Sequence, residues 1–324
     1  MLLAAIALIV GLMLLIWSAD RFIDGASATA HQLGMPPLLI GMLIIGLGTS
    51  VPEMLVSAIA AIQGNPGIAL GNAFGSNISN IGLIMGLTAL AFPILVHSTL
   101  VKKELPILLA ITALTAYLLA DTVLSRKEAW ILLIVFFAFV FWSIIDSMRS
   151  PETLIDAEDI ANMPLKKAVY WLIVGVLLLV IASRLMVWGA VVIATKLGVD
   201  DLIIGLTILA IGTSLPELAS TLMAARKRKY DLAFGNIIGS NIFNTLVVVG
   251  IAGTIHPMQV ASEVFSRDIL IMSILTLALF VMSFKIGGRI ARINRLEGGI
   301  LLMAFIAYNA YLIYGAIQTT TLPN

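Results

Sequence analysis

Two glutamates stand in places where a carboxylate is expensive. Glu53 closes the phrase "GLGTSVPE" at 46–53 and is the only Asp, Glu, Lys or Arg between Asp24 and Lys102. The phrase returns as "AIGTSLPE" at 210–217, ending on Glu217. A charge near the middle of a lipid bilayer costs roughly 2.5–3.5 kcal/mol on insertion scales, so such a group is expected to face a cavity or a cation rather than lipid. Pro52 and Pro216 precede the glutamates. Each proline lacks an N–H and frees the carbonyl four residues earlier, at Gly48 and Gly212, so both helices are expected to kink or unwind there. Freed backbone at membrane depth is tolerated where it is buried or lines a cavity. Carboxylates beside bare carbonyls and the hydroxyls of Thr49, Ser50, Thr213 and Ser214 make a nest of hard oxygen donors. Ca²⁺ takes six to eight such oxygens in flexible geometry.

A second pair of phrases follows each glutamate, "GNAFGSNISN" at 71–80 and "GNIIGSNIFN" at 235–244. Asn72, Ser76 and Asn80 are spaced four apart, as are Asn236, Ser240 and Asn244, which puts each trio on one helical face. Gly71, Gly75, Gly235 and Gly239 adjoin those faces and would allow close approach to the glutamate helices.

The offset between the copies is constant: 217 − 53 = 164 and 236 − 72 = 164. From 37 to 93 set against 201 to 257, 21 of 57 aligned pairs are identical, and Gly11/Gly175 and Gly34/Gly198 extend the match upstream. The repeat points to duplication of a five-span unit. Five is odd, so the second copy enters the membrane from the opposite side. Inverted repeats of this kind build secondary transporters with an ion or substrate site near the midplane where the halves meet.

The elements that must hold these residues are membrane helices. Of 324 residues, 60% are hydrophobic and 11% charged, far from the composition of a soluble domain. Continuous apolar runs exclude a β-barrel, whose strands alternate. Ten spans are expected, near 2–19, 38–62, 68–95, 104–120, 127–146, 167–187, 202–225, 231–255, 267–284 and 297–316, in an all-α integral membrane fold. The first lacks a basic flank and a small-residue cleavage site, so it reads as a span rather than a removable leader. The units are 1–146 and 167–324, joined by a polar linker at 147–166. With the N-terminus outside, inner loops carry 14 of the 19 Lys and Arg residues, which favours both termini outside. The run Arg226 to Lys229 and the segment 285–295 read as anchors that snorkel to headgroups.

Other chemistries lack their residues. No cysteine is present, so there is no disulfide or thiolate ligand, and His31, His97 and His256 fall at span ends without an H-E-x-x-H pattern. A phosphate-binding G-x-x-x-x-G-K-[ST] loop is missing, which argues against ATP-driven pumping by this chain. The linker acids Glu152, Asp156, Glu158 and Asp159 lack the spacing and glycine of an EF-hand and read as a solvated loop.

"GTSVPE" with "GNAFGSNISN", and "GTSLPE" with "GNIIGSNIFN", resemble the two alpha-repeats of the sodium/calcium exchanger family, within the calcium/cation antiporters. The resemblance covers nearly the whole chain and is nearest to bacterial and archaeal members, since the large regulatory loop of eukaryotic exchangers is here about 20 residues. It implies ten helices with both termini outside. It makes Glu53 and Glu217 the Ca²⁺-binding carboxylates and Ser50, Ser76, Ser214 and Ser240 side-chain ligands for Na⁺. Carbonyls of Gly46, Thr49, Ala210 and Thr213 would assist, with Asn80 near the centre, while the helices at 2–19 and 167–187 slide to alternate access. Where well-studied exchangers carry an aspartate in the second repeat, this chain has Asn244, so a third anionic group is missing from the cavity.

The expected activity is therefore secondary Na⁺/Ca²⁺ antiport in a prokaryotic cell membrane. The ions and the bilayer are its partners, with no cofactor, no nucleic acid and no obligatory protein partner. A Ca²⁺/H⁺ antiporter using the same glutamates is the nearest alternative. A passive channel would need a continuous pore, and an intramembrane enzyme a nucleophile and base.

Overall fold

The computed structural model describes residues 1–96, 103–149, 163–198, 210–284 and 291–321. Among these, seven helices are long and apolar enough to cross a membrane, or eight if a bent pair counts as one span. They are α1 (Leu2–Gln32), α4 (Gly67–Ala91), α6 (Arg126–Arg149), α7 (Leu165–Lys196), α10 (Tyr230–Ile255), α11 (Val264–Met282) and α12 (Arg295–Thr321). The bent pair is α2 (Pro37–Thr49) and α3 (Val51–Ile62), which meet at 46°. Helix α5 (Glu104–Leu118) is shorter, at 15 residues. The span expected at 202–225 is described only from Ala210, as α8 (Ala210–Thr213) and α9 (Leu215–Arg226). The linker acids, His97 and most of the 285–295 segment lie outside the described residues.

Helices α4 and α10, which carry the Asn/Ser stripes, are mostly buried, and the other long helices expose most of their surface, as lipid-facing helices do. Both change to π-helical winding at the same point of the repeat, at Asn80–Met85 and Asn244–Val248. Such widened turns occur often at functional sites.

Helices α1 and α7 run past the ends expected for them, 19 and 187, to Gln32 and Lys196. The charges that suggested an end, Asp20, Arg21 and Asp24, do not break a helix. Asp20 and Asp24 find a partner in Lys227, and the Arg21 guanidinium stacks on Trp171, 5.8 Å from the ring centroid. The two helices lie antiparallel at backbone distance because small residues line the seam. A Cβ on Gly25 would stand 2.8 Å from the Ala168 carbonyl, and one on Gly189 2.7 Å from that of Ala4. Gly11 packs on Ala182 and Met186, and Gly175 on Phe22. Of the glycines repeated upstream of the motifs, Gly11 and Gly175 serve this contact, whereas Gly34 and Gly198 have nothing within 4 Å of a Cβ and turn the chain with φ of 61° and 79°.

Two short ladders depart from a purely helical reading. β1 (Ile94–Leu95) pairs antiparallel with β4 (Arg292–Ile293), and β2 (Val123–Leu124) with β3 (Met258–Gln259). Each ties a loop of the first half to one of the second.

Candidate ion-binding site

The two glutamate helices break where the prolines predict. Ser50 and Ser214 interrupt them with φ near −84° and −88° and ψ near zero, and Pro52 and Pro216 open the next helix. Glu53 and Glu217 therefore sit in the first turn of α3 and α9. At that end backbone N–H groups lack helical partners and the dipole favours negative charge.

Both glutamates are buried, as are Thr49, Ser50, Ser76, Asn80, Ser214, Ser240 and Asn244. The halves cross over at the site. Ser50 donates to Glu217 Oε1 at 3.3 Å, Thr213 on α8 lies beside Glu53, and Ser240 reaches towards the Gly46 carbonyl at 3.5 Å. Helix α2 is pressed against α10, with Gly235 facing Leu38 and Gly41, and Gly239 facing Met42. This is the close approach anticipated for Gly235 and Gly239, made to the other repeat's glutamate helix; Gly71 and Gly75 do not make it, since a Cβ on either would meet nothing within 4 Å. Ala210 is the first described residue of α8.

Asn72 and Asn236 do other work. Asn72 Nδ2 donates to the Glu53 carbonyl at 3.0 Å and to Ser57 Oγ at 2.9 Å. Asn236 Nδ2 repeats this with the Glu217 carbonyl at 3.3 Å and Ser220 Oγ at 3.0 Å, adding Thr221 Oγ1 at 2.8 Å. These asparagines fix the backbone behind each glutamate.

What is left without a hydrogen bond marks the candidate site. Among the described residues, Glu53 Oε1 and Oε2, Glu217 Oε2, Ser214 Oγ, Asn80 Oδ1 and both polar atoms of Asn244 are buried and unsatisfied. Leaving a buried polar group unpaired costs about 1–3 kcal/mol, and more for a charge. So many orphans in one place mark a site completed by something else. Their oxygens are hard donors suited to Na⁺ or Ca²⁺. No cluster of three or more His, Cys, Asp or Glu side chains occurs among the described residues.

Sequence reading missed Asn77, Asn241 and Thr245. Asn77 Nδ2 donates to Thr245 Oγ1 at 2.7 Å, and Asn80 Nδ2 to Asn241 Oδ1 at 3.3 Å, with Asn77 Oδ1 and Asn241 Nδ2 left over. Asn77 and Asn241 stand in the repeated phrases themselves, one step off the four-residue stripe, and that repetition was their signal. The Gly212 carbonyl, freed by Pro216, accepts a hydrogen bond from Ser183 Oγ on α7 at 2.6 Å.

The family model described as "Sodium/calcium exchanger protein" matches residues 3–145 and 167–314. The chain belongs to the sodium/calcium exchanger family. It is 48% identical over 321 residues to "Putative antiporter CaxA" of Alkalimonas amylolytica, covering 98% of this chain and 100% of that one. It is 37% identical to "Inner membrane protein YrbG" of Escherichia coli K12, covering 97% and 98%. It is 32% identical to "Sodium/calcium exchanger MaX1" of Methanosarcina acetivorans, covering 95% and 97%. A solved structure of the sodium-calcium exchanger NCX_Mj, soaked with 2.5 mM Na⁺ and 0.1 mM Ca²⁺, superposes with a TM-score of 0.82 at 30% identity, covering 95% of this chain and 98% of that one. As a member of this exchanger family the chain is a multi-pass membrane protein and a cation antiporter, not an enzyme.

Proposed function

We propose that this exchanger moves Ca²⁺ against Na⁺, the ions competing for one set of oxygens around Glu53 and Glu217. The observation that carries this is the pair of buried carboxylates at the same place in the two repeats, with three of their four oxygens, Glu53 Oε1 and Oε2 and Glu217 Oε2, unsatisfied. One Ca²⁺ neutralises two carboxylates. Several Na⁺ spread over the same carboxylates, Ser50, Ser76, Ser214, Ser240, Asn80, Asn244 and the carbonyls of Gly46, Thr49, Ala210 and Thr213 do so as well. The empty pair resists crossing because bare buried charges are costly. Competition for the oxygens thereby couples the two fluxes.

The proposed architecture has ten helices in two inverted units, 1–146 and 167–324, both termini outside and the Arg226 to Lys229 end cytoplasmic, in a prokaryotic cell membrane. Alternating access follows from the contrast between α9 and α3. Helix α1 packs along α9 and covers Leu215, Ala219 and Met223. The corresponding residues of α3, Val51, Leu55 and Ile59, are 40–53% exposed, and α7 makes no comparable contact with them. In the proposed orientation this state is closed to the cytoplasm and open outward. Sliding of the α1–α7 pair would reverse the two contacts.

Exchange of Ca²⁺ for H⁺ is the second reading, favoured by Asn244: with two carboxylates and no third, two protons discharge the site as completely as one Ca²⁺ does. Calcium uptake into liposomes carrying the protein decides between them. Uptake that requires internal Na⁺ supports the proposal. Uptake driven by a pH gradient without Na⁺ supports the alternative, and uptake with neither gradient contradicts antiport.

A further inference from the structure

Lys227 caps the C-terminal end of α9 and turns towards α1. Its ammonium has three protons and meets three acceptors: Asp20 Oδ1 at 2.8 Å, Asp24 Oδ1 at 2.7 Å and the Asp20 carbonyl at 3.1 Å. Lys229, 9% exposed, lies 3.8 Å from Asp24 Oδ1. Two of the four basic residues expected to snorkel to lipid are thus turned to a neighbouring helix. Asp20 and Asp24 are one turn apart on α1, the helix that covers the Glu217 helix.

The other repeat has no counterpart. Adding 164 to 20 and 24 gives Arg184 and Trp188 on α7, and subtracting 164 from 227 and 229 gives Gln63 and Asn65 beyond α3. A cation and an indole opposite two amides cannot form ion pairs. The duplicated architecture therefore carries this contact on one face only.

We infer that Lys227 with Asp20 and Asp24 is a one-sided ionic latch that holds α1 against α9 and biases the resting exchanger towards the state closed on that face. Sliding of α1 along α9 by even a few ångströms breaks bonds of 2.7–2.8 Å, so the latch stabilises one state and is absent from the other. A contact made in one state only shifts the equilibrium by its full differential energy. The three charges are partly exposed, so the bias is modest, about tenfold, near the low end of ordinary coupling between sites. The inference rests on the alternating-access reading above, but not on which ions are exchanged.

The absence of cysteine makes the test direct. Single cysteines at Ala219 on α9, beneath α1, and at Leu55, its equivalent on α3, report the two faces. Labelling by a water-soluble maleimide in nanodiscs, where both faces meet the reagent, needs no transport. Lys227→Gln is expected to raise the Ala219→Cys labelling rate about tenfold and to lower that of Leu55→Cys, while Lys227→Arg leaves both within about twofold. Unchanged rates in Lys227→Gln, with only a lower melting temperature, overturn the latch. Should Lys227→Gln not fold, Asp24→Asn carries the same test with the same signs. Movement of both rates in a protein that shows no Na⁺-dependent Ca²⁺ uptake would leave the latch standing and reject the cargo assignment alone.

Discussion

The two repeats carry the same residue at every glutamate, serine, threonine and asparagine position of the site yet occupy different environments. Helix α9 is covered by α1, tied at its C-terminal end by Lys227, and preceded by a break whose freed carbonyl is held by Ser183. Helix α3 exposes the equivalent face, and the position equivalent to Ser183 is Ala19, which has no hydroxyl to offer the Gly48 carbonyl. In the proposed account, common residues make the site, while the differing ones determine which side of it is closed. A two-state machine built from duplicated halves must be asymmetric in any one state, and these contacts are where the asymmetry is stored.

The largest effect is expected where the repeats are alike. Glu53→Gln and Glu217→Gln should each reduce exchange at least about a hundredfold, since either removes half the charge that neutralises Ca²⁺ in a dry site. Calcium uptake checks this, and a mutant that keeps normal rates breaks the equivalence of the repeats.

Next comes packing between them. Gly239→Leu would drive a side chain into the Met42 backbone, which has no flexible end to move aside. A loss at the upper end of the roughly 1–3 kcal/mol typical of overpacking is expected, seen as a lowered melting temperature and poor monodispersity.

Ser183→Ala leaves the Gly212 carbonyl buried and unpaired and should cost about 1–2 kcal/mol, while Ser183→Thr restores the donor. Ala19→Ser, the mirror change, is expected to shift stability by less than about 0.5 kcal/mol in this state. Equal effects at positions 19 and 183 would erase the asymmetry.

An effect smaller than that of Ser183→Ala belongs to Thr245→Val, which removes the hydroxyl acceptor of Asn77 Nδ2 and leaves it only the weak Met272 Sδ at 3.2 Å. Its equivalent in the first repeat is Ile81, so the bond exists on one side only. A cost of about 1 kcal/mol is expected, with a double-mutant cycle against Asn77→Ala recovering most of it as coupling.

Much of this molecule was legible because membranes punish polar residues. Glu53 and Glu217 stood out against an apolar background, and the constant offset of 164 identified their neighbours. The breaks at Ser50 and Ser214 followed from proline chemistry. The full reach of α1 was not legible, because Asp20 and Asp24 look like a helix end until Lys227, some 200 residues away, is brought beside them. Asn77 and Asn241 were passed over because spacing assigns a helical face but cannot tell which neighbours that face meets. The closed side was least legible: repeats that match at each motif say nothing of which half is covered until the differences at 20, 24, 183 and 227 are set in three dimensions.

The central claim is that Na⁺ and Ca²⁺ compete for one site held by both glutamates. Equilibrium binding of radioactive Ca²⁺ to the purified protein across a Na⁺ series tests it most directly, beside Glu53→Gln and Glu217→Gln. The account predicts saturable Ca²⁺ binding that Na⁺ displaces completely and that either substitution abolishes. Calcium binding that persists undiminished in saturating Na⁺, or that survives both substitutions, would contradict it.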